Sequence, residues 1–122
     1  EADDETKGLN IGYFGASTGA AAALKASVEG GAKVGAIVSR GGRVDMAADI
    51  LDKVRVPTLF IVGGSDDVVL GLNKDSYEKL NCVKELAVVK GASHLFEEPG
   101  ALEEAARCAS NWFAKYLAGK KK

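Results

Sequence analysis

Leu9–Glu29 reads LNIGYFGASTGAAAALKASVE, and its character changes in the middle. Leu9 to Phe14 is a short run with large apolar side chains, which predicts a strand. Ser17 to Glu29 is rich in alanine, the strongest helix former, which predicts a helix. Gly30 and Gly31 follow it and can take the left-handed conformation a helix C-terminus often needs. At the junction stands Gly15-Ala16-Ser17-Thr18-Gly19, a G-x-S-x-G sequence. A serine in so sharp a strand-to-helix turn presents its hydroxyl above the helix N-terminus, and neighbours larger than glycine would clash with strand and helix. The Thr18 N–H can then face a developing oxyanion. A glycine-rich turn that only packs a helix against a sheet shows the same letters.

The alternation continues outward from this stretch. Val34 to Val38 is a second apolar strand, and Asp45 to Val54 a short helix with Met46, Ile50 and Val54 on one face and Asp45 as its N-cap. Pro57 blocks further helix and leads into a third strand, Thr58 to Val62. Asn73 to Leu80 reads as a short helix and Lys84 to Val89 as a fourth strand. From Ala101 to Leu117, Leu102, Ala105, Ala109, Trp112, Phe113 and Tyr116 recur at helical spacing. Strands with near-continuous apolar runs are buried on both faces, as in a parallel sheet flanked by helices. The expected fold is therefore α/β, with a four-stranded parallel sheet in one domain over residues 1–122. The acidic start (1–8) and the lysine tail (119–122) are expected to be frayed ends.

Composition narrows the function classes. The 122 residues carry 16 Lys+Arg against 17 Asp+Glu, a net charge of −1, which offers no electrostatic footprint for nucleic acid or an anionic membrane. No apolar run reaches the length of a membrane span. Two cysteines, Cys82 and Cys108, are too few for a disulfide framework and fit a reducing cytoplasm.

In open parallel sheets, chemistry gathers at the carboxyl ends of strands. Ser17 follows the first strand. Gly63-Gly64-Ser65-Asp66-Asp67 follows the third, and either carboxylate can orient an imidazole, cap a helix or face solvent. His94, the only histidine, follows the fourth. It is the single candidate base for a nucleophilic hydroxyl. The chain order is Ser, Asp, His, with separations of about 49 and 28 residues that fit one or two strand–helix units.

Ile11–Gly19 (IGYFGASTG), Phe60–Val69 (FIVGGSDDVV) and Gly91–Gly100 (GASHLFEEPG) resemble the C-terminal half of the dienelactone hydrolase-like α/β-hydrolases. The resemblance implies Ser17 as nucleophile, His94 as general base and Asp66 as the acid, with Asp67 as fallback. One departure concerns the nucleophile. Dienelactone hydrolases proper use cysteine there, so serine points to general esterase chemistry. The resemblance also implies a sheet of about eight strands, of which this chain matches the last four, without the loop that carries a second oxyanion donor.

Two expectations follow. The chain is a serine hydrolase of small carboxylic esters or lactones that needs no cofactor or metal. Alternatively, it is a truncated, hydrolase-derived domain with little or no turnover. In either case Leu9–Phe14 would be an apolar edge strand, expected to pair with a second copy in a homodimer or with the missing N-terminal half.

Weaker signals remain. Arg40 and Arg43, in Ser39-Arg40-Gly41-Gly42-Arg43, can hold a substrate carboxylate or phosphate, or can be solvated arginines of a turn. Cys108 reads as packing, and Cys82, at a helix end, can be exposed. Trp112, Phe113 and Tyr116 read as core rather than a base-stacking platform. Gly12, Gly15 and Gly19 lack the G-x-G-x-x-G order of a nucleotide loop.

Overall fold

The structure is a computed structural model and describes residues 11–29 and 34–117. The expected helix cap at Gly30-Gly31, the start of the first strand at Leu9 and the chain ends lie outside the described residues. Four strands, β1 (Ile11–Ala16), β2 (Val34–Arg40), β3 (Thr58–Gly63) and β4 (Lys84–Val89), form one sheet in the order β1-β2-β3-β4, every pair parallel. Between them run α1 (Thr18–Glu29), a 3₁₀ segment (Val44–Lys53) and α2 (Asp67–Lys79); α3 (Ala101–Leu117) follows β4 and is the last described element. This is the expected α/β architecture.

Alternate side chains of the central strands enter two separate cores. Ile37 and Phe60 meet Leu24, Leu51, Val54 and Leu80, contributed by α1, the 3₁₀ segment and the segments that follow the helices on that face. Val38, Leu59 and Ile61 meet Ala105, Ala109 and Trp112 of α3 on the other. Each residue of β3 is buried, which is why its sequence shows no polar–apolar alternation. Trp112 is 5% exposed, and its indole N–H donates to the Pro57 carbonyl at 3.3 Å, so Trp112 is core, as expected, while Phe113 and Tyr116 pack partly buried against it.

The 3₁₀ segment departs from the sequence reading. Asp45 does not cap it, because its carboxylate bonds the Arg43 guanidinium twice and sits inside the first turn. The 3₁₀ helix winds three residues per turn, so Val44 and Ala47 line up towards the core and Met46 is turned out, 50% exposed. α2 begins six residues before the expected Asn73. Gly71 in its interior weakens the helical signal of that first half.

β2 flanks β1 on one side, and among the described residues no strand pairs with its other edge. Phe14 is half exposed there. No described helix is long and apolar enough to cross a membrane.

Candidate active site

Ser17 stands between the last residue of β1 and the first of α1 with φ +50°. A non-glycine residue in that region costs about 1–2 kcal/mol, so the surroundings must hold it. They do so through its carbonyl, which accepts from Ala20 N–H (3.3 Å) and from Arg43 N–H (2.9 Å) in the turn after β2. A Cβ on Gly15 would lie 2.7 Å from the Ala20 backbone, so strand and helix close up only over glycine. The same is not true of Gly19, where a Cβ would meet open space. The turn therefore demands one of the two motif glycines, not both.

Three strand ends bring the candidate residues together. Ser17 Oγ lies 3.0 Å from His94 Nε2, and His94 Nδ1 lies 2.8 Å from Asp66 Oδ2. With Asp66 ionised, Nδ1–H donates to the carboxylate, which leaves Nε2 to accept from the serine hydroxyl. The Asp66 side chain is 13% exposed and that of His94 38%, so the inner member is shielded and the outer one reachable. Asp67 is exposed as the first residue of α2, and the imidazole bonds its neighbour instead.

The loops that carry these residues are stitched by backbone hydrogen bonds. Gly64 N–H donates to Val89 O (2.8 Å) and Ser65 N–H to Ala92 O (2.9 Å), which ties the acid loop to the histidine loop. Within the latter, Ser93 N–H donates to Glu98 Oε1 at 2.9 Å, and that bond holds the Glu98 carboxyl below its ordinary range. Phe96 is also left-handed, at φ +57°, and 1% exposed. Burial of its ring fixes a conformation its backbone disfavours.

Thr18, an exposed residue, opens α1, and its N–H belongs to the first turn, whose amides lack intrahelical acceptors. It directly follows Ser17 in the chain. Each of the two arginines makes contacts of its own. The Arg43 guanidinium bonds both Asp45 carboxylate oxygens (3.0 and 2.9 Å), which lowers the Asp45 pKa and raises that of Arg43. Arg40 lies 5.1 Å over the Phe96 ring. Both thiols are partly buried, which pushes their pKa values up, and Cys82 is less open than its place at a helix end suggests. Among the described residues no three His, Cys, Asp or Glu side chains gather as a metal site requires.

Sequence reading missed four contributors: the Arg43 amide, Gly41, on which a Cβ would stand 3.4 Å from the imidazole, Glu98, which accepts from Ser93 N–H, and Asn73, whose Nδ2 donates to Gly42 O at 2.9 Å. Only Asn73 leaves a trace in the sequence, a polar residue four positions after Val69, with which it shares the buried face of α2.

No family model matches the chain. Solved structures define its class. The monoacylglycerol lipase of Paleococcus ferrophilus superposes with a TM-score of 0.76 at 15% identity, over 93% of this chain and 72% of that one. The fold is thus that of the α/β hydrolases. Dienelactone hydrolase from Anabaena variabilis is more similar, with a TM-score of 0.87 and 51% identity over 96% of this chain. In sequence and structure the chain matches the C-terminal half of a dienelactone hydrolase-like α/β-hydrolase. It spans 53% of that chain's length. Two curated proteins from Mycobacterium tuberculosis strains CDC 1551 and H37Rv are 53% identical over 115 residues, 94% of this chain and 26% of their own length. Each bears the provisional name of phosphoribosyl transferase.

Proposed function

We propose that this chain carries the catalytic half of a serine hydrolase acting on small carboxylic esters or lactones. The observation that carries the reading is the continuous hydrogen-bonded line from Ser17 Oγ through His94 to Asp66, at 3.0 and 2.8 Å, in a strained turn. Ser17 Oγ attacks the ester carbonyl carbon as its proton passes to His94 Nε2. Asp66 steadies the imidazolium, and the Thr18 N–H donates to the oxyanion. The tetrahedral intermediate collapses as His94 returns the proton to the leaving alkoxide, which leaves an acyl ester on Ser17. Water then repeats the sequence and frees the acid. One lost oxyanion donor costs roughly 10²–10³ in rate, so a second donor from outside these residues would raise turnover by that order.

Large exposed apolar side chains close in sequence to the triad favour a substrate with an apolar part. Leu95, next to His94, is 61% exposed, and Val68, two residues after Asp66, is 74% exposed. The transferase name belongs to proteins of which this chain spans 26%, and it assigns no residue here. A pyrophosphate would call for several free cations, whereas Arg43 is paired with Asp45 and only Arg40, over the Phe96 ring, has no carboxylate partner among the described residues. A reducing, cytoplasmic setting goes with the two free thiols. The edge of β1 that is unpaired among the described residues goes with pairing to a further strand, in the simplest case that of a second copy; a monomer by light scattering at micromolar concentration would exclude that copy.

The test is intact mass after incubation with a fluorophosphonate ester, which needs an activated serine but not efficient turnover. One adduct on the parent and none on Ser17→Ala sustains the reading. No adduct on folded parent protein overturns it for this chain.

A further inference from the structure

We propose that Asn73 is a positioning residue of this site, acting through the turn Gly41-Gly42-Arg43. Its side chain is fully buried in the middle of α2, and Nδ2 donates at 2.9 Å both to Val69 O, one turn back, and to Gly42 O, 31 residues away in the chain. The second bond fastens α2 to the turn after β2, and that turn touches the other two members of the triad. Arg43 N–H holds the Ser17 carbonyl at 2.9 Å, next to the strained φ of the elbow. Gly41 backs the imidazole: with φ +59°, a Cβ there would stand 3.4 Å from His94 Cε1 and Nδ1. Gly41 N–H is itself anchored on Ile61 O.

The geometry makes α2 the common reference of the triad. Asp66, at the N-cap position just before it, binds the imidazole at Nδ1, and seven residues on, about two helical turns, Asn73 fixes the turn against the ring and behind the serine. The turn fits closely, since a Cβ on Gly42 would strike Ser39 Oγ and the Ala20 methyl. Among the described residues no other hydrogen bond links helix and turn, so without the Asn73–Gly42 bond the serine and the imidazole lose their shared support. Asn73 touches no substrate. A merely structural asparagine would support the fold and leave the ring's state unchanged.

His94 is the only histidine, so its ring resonances are identified without assignment, and they report independently of any activity. Asn73→Ser retains a hydroxyl that can bond Val69 O but is too short for Gly42 O. In the folded, ¹⁵N-labelled 122-residue chain, this variant should lose or broaden the low-field Nδ1–H signal and mix the ring tautomers. Fluorophosphonate labelling of Ser17 should slow by between about tenfold and 10²-fold, as for a sub-ångström to one-ångström misplacement. Parent-like ring signals in folded Asn73→Ser overturn the proposal. Should that variant not fold, Gly41→Ala applies the same reading from the other side of the turn, and unchanged ring signals there overturn it equally. The labelling arm rests on the serine-hydrolase reading and the ring signals do not. A parent that shows the Nδ1–H signal but takes no label would therefore defeat that reading while leaving the role of Asn73 to be decided by the spectra.

Discussion

The two faces of the sheet and its carboxyl edge follow opposite rules. On the faces, Ile37, Phe60, Val38 and Ile61 are fully buried among aliphatic and aromatic neighbours, with ordinary backbone angles. At the edge, the described residues with positive φ, Ser17, Gly41, Gly91, Phe96 and Gly100, all fall in segments that follow a strand. Among the described residues, the buried side-chain atoms without a protein partner, Ser39 Oγ and Asn73 Oδ1, belong to the end of β2 and to α2. Strain and unpaired polarity gather where the triad is held, and apolar burial on the faces offsets them. If that division is real, edge and faces should respond separately to substitution.

The largest separation is expected from Asp66→Asn. Asparagine keeps the shape but favours the wrong imidazole tautomer, so fluorophosphonate labelling should fall by about 10³–10⁴ while the urea midpoint barely moves. A large fall in stability would mean that the acid also supports the fold, and the division would fail. The converse is Phe60→Ala. Phe60 is fully buried and packs edge-on to Tyr77, with ring centroids 6.4 Å apart. Its removal should cost about 3–5 kcal/mol in unfolding free energy. Labelling of the fraction that stays folded should match the parent. A rate loss approaching that of Asp66→Asn would show that the core sets the edge geometry directly.

What the sequence shows follows the same line between side chain and backbone. β4 and α3 occupy the residues their patterns predict, Lys84–Val89 and Ala101–Leu117, because an apolar run and a helical stripe each have a period that can be counted. Ser17, Asp66 and His94 are legible because each follows a strand and carries chemistry in its side chain. Arg43 was read for its guanidinium, yet its contribution to the elbow is an amide. Any residue but proline supplies that group, so no letter marks it. The 3₁₀ winding was illegible for a related reason. Val44, Ala47 and Val54 suit either winding, and only the outward Met46 distinguishes them.

A smaller effect tests how tightly the edge is built. Gly15→Ala puts a methyl 2.7 Å from the Ala20 backbone, which cannot yield without moving Ser17, and should cost about 1–3 kcal/mol together with slower labelling. Gly19→Ala enters open space inside α1, and better helix propensity should raise stability by up to about 1 kcal/mol with labelling unchanged. Thermal unfolding and labelling of the pair decide the matter. Equal damage from both would mean that Gly19 meets a surface outside the described residues.

The smallest expected effect concerns the arginines, and it asks whether the edge keeps any charge in reserve for a ligand. We propose Arg40, and less so Arg43, as an anchor for anionic esters. Arg40→Gln should raise KM for an ester bearing a carboxylate by about threefold, the range of a solvent-screened ion pair, and leave the neutral analogue alone. Arg43→Gln should do less, because its guanidinium already serves Asp45. The control lies in Phe96. Arg40 covers that ring, and Phe96 sits two residues from His94 in a conformation that depends on its packing. If Arg40 matters only as that cover, its loss slows neutral and anionic esters alike through kcat. Equal losses would remove both arginines from substrate binding and assign Arg40 to the packing of the histidine loop.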